Sequence, residues 1–255
     1  MEILRVEGLS KNFGGLKILQ EISFTAEAGE KLALIGPNGA GKTTLFNVLG
    51  GQLPASGGNI FLAGKEITPL TPERRLHLGL ARSFQVNNLF VNLSLMDNIL
   101  LALYGAERSH TQMFRSLRNR KDLIIETKKL LVAMGLWERR NDCVATLSYG
   151  EQRLVEIVLA SASKPKVVLL DEPSAGLPTA EAITFANTIR NLLVNTTLIF
   201  CAHDMDLVFN LADHVMVLYF GQIIAKGLAQ EIRADPRVQE IYLGGNPCSC
   251  INGHG

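Results

Sequence analysis

The chain has 255 residues, 47% hydrophobic and 19% charged, which excludes disorder as its general state and allows a sizeable core. Its 25 basic and 24 acidic residues leave no electrostatic footprint for nucleic acid. No apolar run approaches the ~20 residues of a membrane-spanning helix, yet the mean hydropathy of +0.18 is high for a free enzyme, which brings a membrane-bound partner into consideration.

The first third reads as strands and turns. Residues 1–6 alternate polar and apolar side chains like a strand. They lack the basic start and apolar core of a signal peptide, so the chain is expected to stay in the cytoplasm. Residues 18–26 are mostly apolar and end at the turn signal Ala28-Gly29-Glu30. Lys31-Leu32-Ala33-Leu34-Ile35 reads as a buried strand, followed by a glycine-rich loop and a helix from Lys42 to about Leu49. Residues 59–63 with Gly64-Lys65 resemble a hairpin arm.

From about 87 to 163 strand alternation is lost and helices are expected. Ser94-Leu95-Met96-Asp97 matches a capping box, and residues 123–134 carry helical spacing that stops at Gly135. Between them, Arg108, Arg115, Arg118, Arg120 and Lys121 face a lone Glu107. The segment reads first as a solvated face and second as a contact for anionic headgroups or a membrane subunit. The last third alternates: strands at 167–170 and 197–201, helices at 179–194 and 205–211. That order implies parallel strands with crossover helices. Residues 214–219 and 222–226 flank Phe220-Gly221 as a closing hairpin. Cys143 and Cys201 are isolated. Cys248 and Cys250, with His254, have too few ligands at fixed spacing for a metal site and read as a frayed terminus.

Three stretches carry chemistry. Gly36-Pro37-Asn38-Gly39-Ala40-Gly41-Lys42-Thr43 fits G-x-x-x-x-G-K-[ST] between a strand and a helix. Its backbone N–H groups would cradle phosphate oxygens, Lys42 would bring charge to the β/γ phosphates, and the Thr43 hydroxyl would reach Mg²⁺. Residues 167–173 form a buried strand ending in Asp171-Glu172-Pro173. Asp171 would hold Mg²⁺ directly or through its water, and Glu172 would act as general base on an attacking water. Ser148 and Glu151 make an S-x-x-E capping box, and the same helix N-terminus is an anion site.

With these motifs in place the sequence resembles the ATP-binding subunits of ABC transporters. Those subunits carry a phosphate loop, a glutamine loop, an L-S-G-G-Q signature, an Asp-Glu strand and a switch histidine, in that order. Here the order is residues 36–43, Gln85, 147–151, Asp171-Glu172 and His203, which spans nearly the whole chain. The resemblance implies an α/β fold in one ABC ATPase domain. Its P-loop NTPase (RecA-like) core with an antiparallel β subdomain would occupy 1–85 and 164–255, and an inserted α-helical signature subdomain 86–163. ATP would be hydrolysed with Mg²⁺. Nucleotide contacts would run from Gly36 through Thr43 to Thr44, with Phe13 under the adenine; a core aromatic is the other reading of Phe13. Gln85 would reach Mg²⁺ or the water, and His203 would touch the γ-phosphate and orient the water of Glu172. Ser148 and Gly150 would touch the ATP of a facing subunit.

The implied partners are a second ABC ATPase, of the same or a related chain, in a two-fold dimer, two integral-membrane permeases and, indirectly, an external solute-binding protein. The chain would sit peripherally on the inner face of the membrane, with no nucleic acid. Two departures stand out: Tyr149 and Glu151 replace the usual Gly and Gln of the signature, and Pro178 stands where many relatives have Asp. Ala81-Arg82-Ser83-Phe84-Gln85, the basic segment, Pro178 and the ending at 235–244 resemble the branched-chain amino acid importer branch. Urea or amide importers and the lipopolysaccharide-exporting ATPase are also similar. Residues 86–99 would receive a permease helix by the same resemblance. A soluble ABC ATPase and a phosphotransferase are the competing classes.

Overall fold

The computed structural model describes residues 1–82, 89–107 and 120–243. In chain order, strands β1 (Glu2–Phe13), β2 (Leu16–Glu27) and β3 (Lys31–Ile35) lead into helix α1 (Lys42–Gly50). Then come β4 (Gly57–Leu62), β5 (Lys65–Glu66), α2 (Pro72–Leu78) and β6 (Leu80–Arg82). Three helices follow: α3 (Leu95–Gly105), α4 (Lys121–Ala133) and α5 (Tyr149–Ser161). The chain returns through β7 (Val167–Asp171), α6 (Thr179–Leu192), β8 (Thr197–Cys201) and α7 (Met205–Leu211). It closes with β9 (His214–Tyr219), β10 (Gln222–Leu228), α8 (Ala229–Ala234) and α9 (Pro236–Leu243).

Two sheets result. One is antiparallel, ordered β2-β1-β4-β5; the other is ordered β10-β9-β3-β8-β7-β6. In the second, all pairs from β9 to β6 are parallel, and only β10 runs antiparallel at its edge. Every residue of β3, β7 and β8 is buried, as expected of parallel strands covered on both faces. Side-chain alternation divides the core in two. Leu32, Leu34, Leu169, Ile199 and Met216 face α1 and the antiparallel sheet, whereas Ala33, Ile35, Val168, Phe200 and Val217 face the remaining helices.

Local chemistry sets the helix ends. At α5, Ser148 Oγ accepts the Glu151 amide at 3.3 Å and the Glu151 carboxylate accepts the Ser148 amide at 2.7 Å, which completes the expected box. At α3 the cap takes another form: Ser94 Oγ accepts the Asp97 amide and donates to the Asp97 carboxylate at 2.7 Å. After α4, Gly135 adopts φ 71, and the amides of Gly135 and Leu136 close on the carbonyls of Val132 and Leu131. The helix predicted to reach 194 stops at Leu192, because the buried Lys31 Nζ takes the Leu193 carbonyl at 2.9 Å together with those of Thr196 and Gly29. Pro178 is extended and is the N-cap residue of α6.

Arg75 of α2 is fully buried and bonds only to carbonyls: Val48 and Leu49 at the end of α1, Thr68 and Leu70. Burial pushes its guanidinium down to about 10. It supplements the left-handed Gly51 cap of α1, supplying donors that no basic residue in the last turn of the helix provides. Arg75→Ala takes the guanidinium from four carbonyls, of which Val48 keeps the Gly51 amide at 3.2 Å, and should cost about 2–4 kcal/mol, read as a lower urea midpoint with an unchanged slope.

Candidate nucleotide-binding and hydrolysis site

Strands β3, β8 and β7 are neighbours, and their C-terminal ends are level: Leu34 pairs with Cys201, and Cys201 with Asp171. The open edge of a parallel sheet is where ligands bind. The glycine-rich loop leaves β3 there and enters α1 at Lys42, whose N-cap is Gly41. The buried Lys42 Nζ donates to the Gly36 carbonyl at 2.7 Å and that of Pro37 at 3.0 Å, so the loop is wrapped around the ammonium. Burial pushes the Lys42 ammonium below the usual lysine range, while the charges of Glu172 and Asp171 oppose this. Thr43, on the first turn of α1, is exposed, and Thr44 is half-buried.

The loop is braced from behind. The Gly221 amide donates to the Ala40 carbonyl at 3.0 Å, and the Gly221 carbonyl accepts the Gln20 amide at 2.9 Å. The turn between β9 and β10 thus ties the phosphate loop to β2. Gly221 has φ 75, and a methyl group there would overlap the Ile18 carbonyl. The sequence identified this turn but not what it touches, because the contact joins residues about 180 apart. A methyl group at Gly36 would likewise overlap the Leu218 carbonyl oxygen. Backbone cannot give way there as a side chain could. Gly36→Ala should displace the loop and weaken ATP binding by about tenfold or more while the protein stays folded, checked by calorimetry and circular dichroism.

Asp171 ends β7 with 3% of its side chain exposed, 3.4 Å from Arg82 Nη2. Burial pushes its carboxyl up, and Arg82 opposes the shift. Glu172 leaves the strand in a left-handed conformation, φ 48, which costs a residue with a Cβ about 1–3 kcal/mol. Its amide is held by the Cys201 carbonyl at 3.0 Å, and its carbonyl takes the Ala175 amide at 3.1 Å. This turn aims the carboxylate at His203, whose Nε2 lies 3.0 Å from Glu172 Oε1, both groups being partly exposed. Cys201, opposite Asp171 at the end of β8, is buried, and burial pushes its thiol up.

Phe13 ends β1 half-exposed, with Lys11 Nζ 5.0 Å from its ring centre, so it is not a core aromatic. Gln85 lies outside the described residues, as do Arg108, Arg115, Arg118 and the Cys248, Cys250 and His254 tail. Within the described part of the basic segment, Arg120 pairs with Glu107 and Asp122. Ser148 is exposed at the start of α5. Glu151 there binds Arg139 through two oxygens at 2.8 Å; burial works against its ionised form, but the Ser148 amide and Arg139 hold its carboxyl below the usual range. The Tyr149 ring covers Gly176, and Leu177 abuts Gly150, so the signature and the turn after β7 pack as one surface.

This combination of phosphate loop, strand-end carboxylates and facing histidine on a mixed sheet defines a nucleoside-triphosphate hydrolase. The ABC transporter family model matches residues 19–175, and that of the branched-chain amino acid ATP-binding cassette transporter matches 222–246. The chain is 35% identical to the high-affinity branched-chain amino acid transport ATP-binding protein BraF of Pseudomonas aeruginosa, over 95% of this chain and 98% of that one. It is 34% identical to LivG of Escherichia coli K12, a protein of the same description, over 95% and 98%. An ATP-binding cassette of an ABC transporter in its ADP conformation superposes with a TM-score of 0.81 at 32% identity, covering 96% of this chain and 99% of that one. A nucleotide-free cassette superposes with a TM-score of 0.81, covering 96% and 100%. The chain belongs to the ABC transporter family as an ATP-binding, ATP-hydrolysing subunit, and its branch is that of the branched-chain amino acid transport ATP-binding proteins.

Proposed function

We propose that this subunit couples ATP hydrolysis to uptake of branched-chain amino acids through two membrane permeases, from the inner face of the membrane. The observation that supports it most is the level edge of β3, β8 and β7, where the phosphate loop, Asp171-Glu172 and His203 converge. Residues 36–44 bind the phosphates of ATP, with Phe13 beneath the base. Glu172 takes the proton of the attacking water, and His203 orients that water and the γ-phosphate. The Thr43 hydroxyl and the buried Asp171 carboxylate are a hard oxygen set that suits Mg²⁺, which takes one or two protein oxygens and completes its shell from phosphates and water. Bound there, the ion neutralises phosphate charge. Gln85 would reach that ion or the attacking water. Domain boundaries at 85/86 and 163/164 fit the same reading.

ATP is clasped between the loop of one subunit and Ser148 and Gly150 of a second ATPase. Its hydrolysis opens the pair and moves the permeases. Among the described residues no helix is long and apolar enough to cross a membrane. Phe90, Val91 and Leu93 are exposed before α3, an apolar patch suited to a permease helix. Capture of the chain from detergent-solubilised membranes tests the proposal. Recovery of multi-span permeases and a second ATPase is expected; recovery of ribosomes or DNA instead would overturn it. In proteoliposomes holding that complex, leucine uptake should require internal ATP.

A further inference from the structure

Arg82 ends β6, and none of the roles above uses it. Its guanidinium crosses beneath the end of α1. Nη1 donates to Asn47 Oδ1 at 2.7 Å and Gln52 Oε1 at 2.9 Å, and Nη2 reaches Asp171 Oδ2 at 3.4 Å. Only 10% of the Arg82 side chain and 3% of that of Asp171 are exposed. The path is open because residue 50 is glycine: a methyl group there would lie 3.1 Å from Arg82 Cδ and overlap Gln52. Two short bonds to neutral amides and one long contact to a carboxylate describe a cation anchored elsewhere. Arg82 can let Asp171 go and keep Asn47 and Gln52, whereas without Arg82 the buried carboxylate is left with only the more distant charge of Lys42, which is costly.

We propose that Arg82 is the resident counter-ion of Asp171, holding that carboxylate in place until Mg²⁺ arrives with the nucleotide and then yielding it. The inference rests on the assignment of Asp171 to the metal. Guanidinium and metal seek the same oxygen and repel each other, so Arg82 is a positioning residue that lowers metal affinity by competition. Asn47 and Gln52 set the strength of that competition by drawing the guanidinium toward α1.

Calorimetric titration of ADP into the full chain, over a series of Mg²⁺ concentrations, tests this in wild type, Arg82→Gln and Arg82→Lys. Thermal unfolding in metal-free buffer is measured alongside. Arg82→Gln should lower the Mg²⁺ midpoint for ADP binding by about 5–10-fold. It should also unfold at a lower temperature without metal, a loss that Mg²⁺ with ADP repairs. Arg82→Lys, which keeps the charge, should stay near wild type. Gln52→Ala frees the guanidinium to lean on Asp171 and should raise the midpoint, which keeps the test open if Arg82→Gln does not fold. Equal midpoints in every variant, or a higher one in Arg82→Gln, overturn the role of Arg82 and leave the metal assignment standing. ADP binding that ignores Mg²⁺ in the wild type overturns the assignment and the inference together.

Discussion

In Glu172→Gln, ATP binds as in wild type and turnover falls by about 10²–10⁴-fold. The amide has the shape of the carboxylate and can keep a bond to His203 Nε2, 3.0 Å away in the native protein. It cannot accept a proton from water. Binding is spared because the loop is untouched, and one negative charge fewer stands beside Asp171 and the triphosphate. The strained turn at residue 172 is also kept, since its φ of 48 is held by backbone bonds to Cys201 and Ala175 rather than by the side chain. In the proposed pair, ATP that cannot be cleaved should hold the two ATPases together, and light scattering with the partner subunit should show a persistent complex. Unchanged phosphate release would remove Glu172 from the chemistry.

Lys42→Ala has the opposite signature: ATP affinity falls by about 10–100-fold, seen by calorimetry. In the native loop the ammonium is wrapped by the Gly36 and Pro37 carbonyls. Phosphate oxygens offer that buried cation a stronger acceptor, and alanine offers them nothing. Unaltered affinity would contradict the assignment of the loop.

The site's components were legible because each is local. A glycine pattern between strand and helix, a buried strand ending in two carboxylates and an S-x-x-E cap are each written in consecutive residues. The helix over 205–211 and the strand over 214–219 fall where hydrophobic periodicity placed them. What escaped is non-local or short. Helix α2 and strand β6 are seven and three residues long, too short for a periodic signal. They are held by Arg75 and by pairing of β6 with β7, both set by tertiary packing. The end of α6 depends on Lys31, which lies 162 residues from Leu193. Arg82 read as one letter of a branch motif. Its contacts run to α1 and β7, and no spacing rule connects 47, 52, 82 and 171. Helix α9 was read only as part of a family ending at 235–244 and α8 not at all, because their polar residues mask the buried Ile232 and Val238.

In the proposed assembly a triphosphate is held from two sides, by residues 36–44 of one subunit and by Ser148 and Gly150 of the facing one. Amide hydrogen exchange on the Glu172→Gln protein with its partner ATPase, with and without ATP and Mg²⁺, tests it most directly. New protection in both segments is expected on adding ATP. Protection in 36–44 alone would contradict the clasp, and protection in neither would contradict the site.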